Sequence, residues 1–160
     1  MKLLQLIVLA SAIMIGSVIP AWAQVEMVAM HTIGIECGVC AAVSEINLRR
    51  IEGVDKVTIS KSNESVMIAY SPGAPFQPAE IREVLAQLLV EIDVFQVRAR
   101  GHVREQDGKR FFVAGKDRFV LAATNAPELP SGAPVVVDAL LNDQLNPMEL
   151  SVLTFKTVAE

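Results

Sequence analysis

The sequence predicts an α+β fold, a ferredoxin-like βαββαβ sandwich followed by a small all-β, OB-like barrel. Two observations support this. In the first half, segments with a hydrophobic period of two alternate with segments of helical period in the order β-α-β-β-α-β. From Val94 onward, only short β-rich segments separated by turn-forming residues remain. We therefore predict three regions: a signal peptide over residues 1–23, a ferredoxin-like domain over 24–100 and a barrel domain over 101–160.

The first 23 residues have the features of a secretory signal peptide. Lys2 precedes an apolar run that ends at Pro20, and Ala21-Trp22-Ala23 fits a small-x-small cleavage site. We expect cleavage after Ala23 and a periplasmic or secreted protein without stable membrane insertion. An uncleaved membrane anchor is the alternative, but the apolar run is short for a spanning helix.

Each element of the first half has its own local signal. Val28, Met30 and Thr32 alternate along a strand that ends before Gly34. Pro78 suits the first position of a helix. The remaining segments are a helix over Val39–Ile51, strands over Val54–Ser60 and Ser65–Tyr70 joined by a turn at 61–64, and a last strand over Val94–Arg100.

The second half consists of five short strands. Their separating segments are rich in Gly, Asn, Asp and Pro, which favour turns. The strands are Phe95–Val103, Arg110–Ala114, Arg118–Ala123, Pro134–Leu141 and Leu150–Val158. Five strands in a segment of this length match an OB-like barrel, and we expect most of its phenylalanines in the core. The stretch Val94–Val103 could form one strand shared by both halves.

The charge of the chain makes nucleic acid a poor partner. Its 18 acidic residues outnumber its 14 basic residues, and the net charge is −4, whereas nucleic-acid-binding domains are usually basic. The one cluster of basic residues predicts a solvated strand face or a docking surface for an acidic partner. Its members are Arg98, Arg100, Arg104, Lys109 and Arg110.

The two cysteines of the chain, Cys37 and Cys40, lie in the stretch GIECGVC at the predicted start of the first helix. Backbone N–H groups at a helix N-terminus favour the thiolate form of a nearby cysteine, and Gly34 lets the preceding loop bend. Two thiolates without a third ligand suit Cu(I) or Hg(II), which accept near-linear coordination. Zn(II) would need more donors.

The cysteine segment resembles the G-M-x-C-x-x-C loop of the heavy-metal-associated (HMA) domain family, and IEGVDKVTIS, residues 51–60, is similar to that family's helix end and second strand. The resemblance covers about residues 25–100 and is strongest to periplasmic mercury-binding proteins and copper chaperones. It implies that Cys37 and Cys40 bind a soft metal ion. It also implies ligand exchange with a metal transporter or another metal-accepting protein.

Three residues or segments depart from the family pattern. Ile35 replaces the loop methionine, which is an apolar exchange. Glu36 stands where Thr or Ser is common; the resemblance implies that an acid there tunes the metal choice or acts as a third ligand for Zn(II) or Cd(II). Residues 91–93 replace a Gly-Tyr pair that places an aromatic ring near the metal in many members.

Two alternatives to metal binding remain. A Cys-x-x-Cys pair can serve a thiol–disulfide redox module, although the Trp that usually precedes such a motif is missing here. The chain could also be a protein-interaction module in which the cysteine loop has no function or forms only a structural disulfide.

No catalytic set of nucleophile and base is evident, so we expect a binding protein and not an enzyme. The other residues with metal-binding chemistry are assigned to the surface, for the histidines, or to packing, for the methionines. They are His31, His102, Met27, Met30, Met67 and Met148.

Overall fold

The computed structural model describes residues 24–123 and 127–158, which form eight strands and two helices. The predicted signal peptide and its cleavage site lie outside the described residues. The elements in chain order are β1 (Gln24–Ile33), α1 (Gly38–Leu48), β2 (Val54–Ser60), β3 (Ser65–Tyr70), α2 (Pro78–Ala86), β4 (Glu91–Gln106), β5 (Lys109–Ala114), β6 (Asp117–Leu121), β7 (Pro134–Asn142) and β8 (Glu149–Thr157).

All eight strands belong to one hydrogen-bonded sheet. Its order is β2-β3-β1-β4-β5-β6-β8-β7, and β7 also pairs with β4. This additional pairing closes β4, β5, β6, β8 and β7 into a five-stranded barrel. Among the eight described strands, β6 and β8 pair in parallel and the other pairings are antiparallel.

Strand β4 joins the helix-bearing part of the sheet to the barrel. Over its length it pairs with β1, β7 and β5. Gly101 lies where the pairing with β1 ends and the pairing with β5 begins, and a Cβ at this position would clash with the carbonyl oxygen of Val113. A glycine is therefore required at this crossing because the backbone of β5 approaches too closely for a side chain.

The predicted fold class is wrong. Strands make up 52% of the described residues and helices 15%, and the molecule is a mostly β structure with a closed five-strand barrel. It is not a ferredoxin-like sandwich followed by a small OB-like barrel. The physical reason lies in β4, which extends from Glu91 to Gln106. Its buried residues alternate from Phe95 to Val103 without a break, and this one strand has two sets of neighbours. The predicted domain boundary between residues 100 and 101 falls inside this strand.

The two helices cover one face of β1. Val28, Met30 and Thr32 are buried on that face, whereas His31 and Ile33 point to the other side and are exposed. Ile81 and Leu85 of α2 are fully buried in the same core. Among the described residues no helix has the length and apolar character needed to cross a membrane.

The core continues without a break from the helices into the barrel. Phe76, in the segment between β3 and α2, is buried at the junction. Its ring centroid lies 6.0 Å from that of Tyr70 and 6.3 Å from that of Phe119 in the barrel. The expectation that most barrel phenylalanines are core residues is confirmed: Phe95, Phe111, Phe112 and Phe119 are buried and Phe155 is partly buried.

Candidate metal centre

Both cysteines lie at the N-terminus of α1. Cys37 is the residue that caps the helix, with an extended backbone, and its Sγ accepts a hydrogen bond of 2.9 Å from the backbone N–H of Cys40. The two sulfurs form a disulfide, with the Cα atoms 5.2 Å apart. The sequence-predicted pair is therefore brought together in its oxidised form, and it can bind a metal only after reduction, because thiolates are the ligands.

The loop before the cysteines is fixed on both sides. Ile35 is fully buried, so it anchors the loop in the core where the HMA pattern has a methionine. Gly34 has a φ of +97°, and a Cβ on it would lie 2.9 Å from the carbonyl oxygen of Leu89. Both the backbone conformation and this close approach favour glycine. The cysteine turn is thus held in a defined place beside the loop that follows α2.

The tip of the turn is open to solvent. Cys37 is exposed and Cys40 is half-buried, and Glu36 and Gly38 beside them are exposed. The first turn of α1 contains no acidic residue, so the positive end of the helix dipole acts on the sulfurs without a counter-charge from within that turn. The position leaves the turn, and Cys37 in particular, accessible from solvent.

Glu36 is next to the pair in sequence, but a three-ligand cluster is not formed. Within residues 24–123 and 127–158, no three side chains of His, Cys, Asp or Glu converge in a group that could hold a metal ion. The roles of Cys37 and Cys40 as ligands, and of Glu36 as a tuning residue or third ligand, stay predictions.

The two histidines have partners of other kinds. His31 Nδ1 lies 3.6 Å from the carboxylate of Asp93 on the helix-free face of the sheet, where both side chains are more than half exposed. His102 accepts a hydrogen bond of 2.8 Å at Nε2 from Arg104 Nε. Met30 is buried in the core and Met67 is 43% exposed. His31 is thus a surface residue near an acid, His102 takes part in a surface hydrogen bond, and Met30 is accounted for by packing.

The basic residues of the predicted cluster have different partners. Arg98 forms a two-pronged pair with Asp138, which raises the pKa of the guanidinium, and Arg100 pairs with Glu26 at 2.9 Å. Arg110 donates a hydrogen bond to the carbonyl oxygen of Leu129. Arg98 and Arg100 therefore tie β4 to its neighbours β7 and β1.

Two residues beside the cysteine turn were not identified from the sequence. Leu89 is 88% exposed and has a φ of +59°, which is rare for leucine. Lys61 places its Nζ 3.8 Å from the position that a Cβ on Gly38 would occupy. In the sequence, Lys61 has only the features of a turn residue. Its proximity to Gly38 depends on how β2 and β3 pair, which local sequence does not show.

No family model matches the chain, and no curated protein matches it. Among solved structures, the yeast copper transporter domain Ccc2A, determined in its apo and Cu(I)-loaded states, is 23% identical and covers 42% of this chain and 94% of its own. The TM-score is 0.37. A likeness at this level assigns neither fold nor function to the chain.

Proposed function

We propose that the reduced protein binds one soft metal ion, Cu(I) or Hg(II), between the thiolates of Cys37 and Cys40. The observation that carries the proposal is the placement of both sulfurs on one exposed turn at the N-terminus of α1. Two thiolates from one turn can hold an ion that accepts near-linear coordination. Zn(II) or Cd(II) would need further donors, for which Glu36 is the adjacent candidate.

The bound ion would be cargo that passes to a partner by ligand exchange. A thiol of the partner loses its proton and its sulfur attacks the ion while it is held at the exposed turn. One cysteine sulfur leaves as the new sulfur binds, and it takes up a proton. Cys37 is the more exposed cysteine, so we expect an incoming thiol to reach its side of the site first. The partner is a metal transporter or another metal-accepting protein, and the protein acts as a carrier without catalysing a reaction.

We also infer that the carrier works outside the cytosol, in the periplasm or after secretion. The support is the sequence of residues 1–23, with its apolar run and the small residues before the proposed cut. Since exported thiols tend to oxidise, a reductant must keep Cys37 and Cys40 available for metal. N-terminal sequencing of the protein recovered from the periplasm or medium tests the proposal, and an intact Met1 would contradict it.

Metal titration of the reduced protein tests the carrier function. The protein is reduced with a phosphine under anaerobic conditions, two free thiols per chain are confirmed, and Cu(I) is added from a competing chelator. We expect one ion per chain by native mass spectrometry and no tight binding in Cys37→Ser. Val39→Ser is the matched control, since it alters the exposed residue between the cysteines and leaves both thiols in place. A fully reduced wild-type protein that binds neither Cu(I) nor Hg(II) would refute the proposal.

A thiol–disulfide module is the second candidate. It is favoured by the disulfide itself and by the N–H of Cys40, which donates to Cys37 Sγ and would stabilise a thiolate there. Reduction of an insulin-type disulfide distinguishes the two functions: a redox module accelerates it well above the Cys37→Ser variant, and a carrier does not. Full activity in cells of a variant with both cysteines replaced by serine would instead favour an interaction module.

A further inference from the structure

We infer that Lys61 shifts the metal preference of the Cys37–Cys40 site toward a monovalent ion, Cu(I), relative to a divalent ion such as Hg(II). This inference rests on the proposed function and concerns the same site. Its basis is the position of the Lys61 ammonium, 3.8 Å from the place of a Cβ on Gly38. Gly38 lies between the two cysteines and is the first residue of α1, so the positive charge stands beside the turn that carries both sulfurs.

The position of Lys61 follows from how its turn is attached. Lys61 begins the turn between β2 and β3, and Glu64 ends it. The carbonyl oxygen of Glu64 accepts hydrogen bonds from both the backbone N–H and the hydroxyl of Thr32, at 2.7 and 3.0 Å. Thr32 is fully buried near the end of β1, immediately before the cysteine loop. The turn and the loop are therefore joined through one buried residue.

The charge of Lys61 is not neutralised by a close acid. Among the described residues, no carboxylate lies within 4.0 Å of its ammonium group. The first turn of α1 contributes no acid either. Glu36 is the acid next to the cysteines in sequence and acts in the opposite sense, because its negative charge disfavours further negative charge at the site.

The selectivity arises from the net charge of the two complexes. When the two thiols lose their protons and bind Cu(I), two negative sulfurs and one monovalent ion leave a charge of −1. The same thiolates with Hg(II) form a neutral complex. An ammonium group nearby stabilises the anionic complex and has little effect on the neutral one. For an exposed charge pair we expect a roughly two- to five-fold effect on affinity, and it should weaken with added salt.

The affinities of lysine variants for the two ions test the inference. Lys61→Met removes the charge and keeps much of the side chain, whereas Lys61→Arg keeps the charge. Lys56→Met is the matched control, because Lys56 is an exposed lysine of the same hairpin in β2. In competition titrations of the reduced protein, we expect Lys61→Met to lower the Cu(I) affinity about two- to five-fold at low salt and to leave the Hg(II) affinity unchanged. The other two variants should behave as wild type.

A metal-free measurement separates this inference from the proposed function. The reduced thiols are reacted with an anionic aromatic disulfide and with a neutral pyridyl disulfide. The ratio of the two rates reports the local potential, and Lys61→Met should lower it about two- to five-fold.

Two results overturn the selectivity alone: an unchanged rate ratio, or Cu(I) and Hg(II) affinities that fall equally in Lys61→Met. A wild-type protein that binds neither ion overturns the proposed function and the selectivity with it.

Discussion

Replacement of Asp117 by asparagine should stabilise the protein at neutral pH. Asp117 is half-buried at the start of β6 and accepts a hydrogen bond from the backbone N–H of Phe76. Loss of hydration outweighs that hydrogen bond and raises the pKa of the carboxyl to about 6. Burial also raises the pKa of the nearby Tyr70 hydroxyl, and the negative charges of Asp117 and Glu80 add to the effect. The junction between the helices and the barrel therefore disfavours a charged Asp117.

The magnitude follows from the difference between the ordinary pKa of 3.8 and the raised value of about 6. Such a difference corresponds to at most about 3 kcal/mol, which solvent screening of a half-buried group reduces to about 1 kcal/mol. The folded protein holds the proton more tightly than the unfolded chain. The favourable contribution of protonated Asp117 is therefore complete below about pH 4 and is lost as the pH rises through about 6.

Urea unfolding of wild type and Asp117→Asn over this pH range measures the effect, with the disulfide intact in both proteins. Asparagine keeps an oxygen for the Phe76 N–H but carries no charge. We expect the variant to be more stable by about 1 kcal/mol near pH 8 and the difference to disappear near pH 4. Asp55→Asn, at an exposed position in β2, should show no such pH-dependent difference. A destabilised Asp117→Asn at pH 8, or a difference that does not change with pH, would contradict the assignment.

Three further predictions concern the same junction, the strand crossing at Gly101 and the loop that follows α2. Phe76→Ala should cost about 3 to 4 kcal/mol of unfolding free energy, because it leaves a cavity between Tyr70 and Phe119; chemical denaturation measures this, and a loss below 1 kcal/mol would refute it. Gly101→Ala should lower stability by about 2 kcal/mol, since its methyl group meets the backbone of β5, and an unchanged melting temperature would contradict that contact. Leu89→Asn should raise stability by about 0.5 kcal/mol, because asparagine adopts a positive φ more readily and the exposed leucine buries little surface. A urea midpoint lower than that of wild type would contradict this prediction.

Local patterns in the sequence were sufficient for most individual elements. The alternation of Val28, Met30 and Thr32 predicted which face of β1 is buried, and all three are buried. Pro78 marked the first residue of α2, and residues 61–64 form the turn between β2 and β3. In each case the deciding forces act within a few residues, through side-chain alternation, a fixed proline φ or a turn.

A five-stranded barrel was predicted from the number and spacing of the strands, but the strand pairing that closes it could not be predicted from local patterns. The closure depends on β4 pairing with β1 and then β5 along one edge and with β7 along the other, and these partners are distant in sequence. Cross-strand pairs such as Arg98 with Asp138 and Arg100 with Glu26 stabilise this register. From sequence alone the same arginines form a basic cluster, because their acidic partners can be recognised only once the strands are aligned.

The candidate site also combines one feature set by local sequence with one set by contacts between distant elements. Cys37 and Cys40 are close because they share one helical turn, so their spacing alone predicted that they meet, and the structure brings them together. Lys61 reaches this turn only because Thr32 fixes the β2–β3 turn to the end of β1. Two cysteines within one turn can be found from sequence, whereas the position of Lys61 beside them depends on separate elements of the fold. The metal preference proposed for this site therefore depends on the folded arrangement, and Lys61 variants measure it.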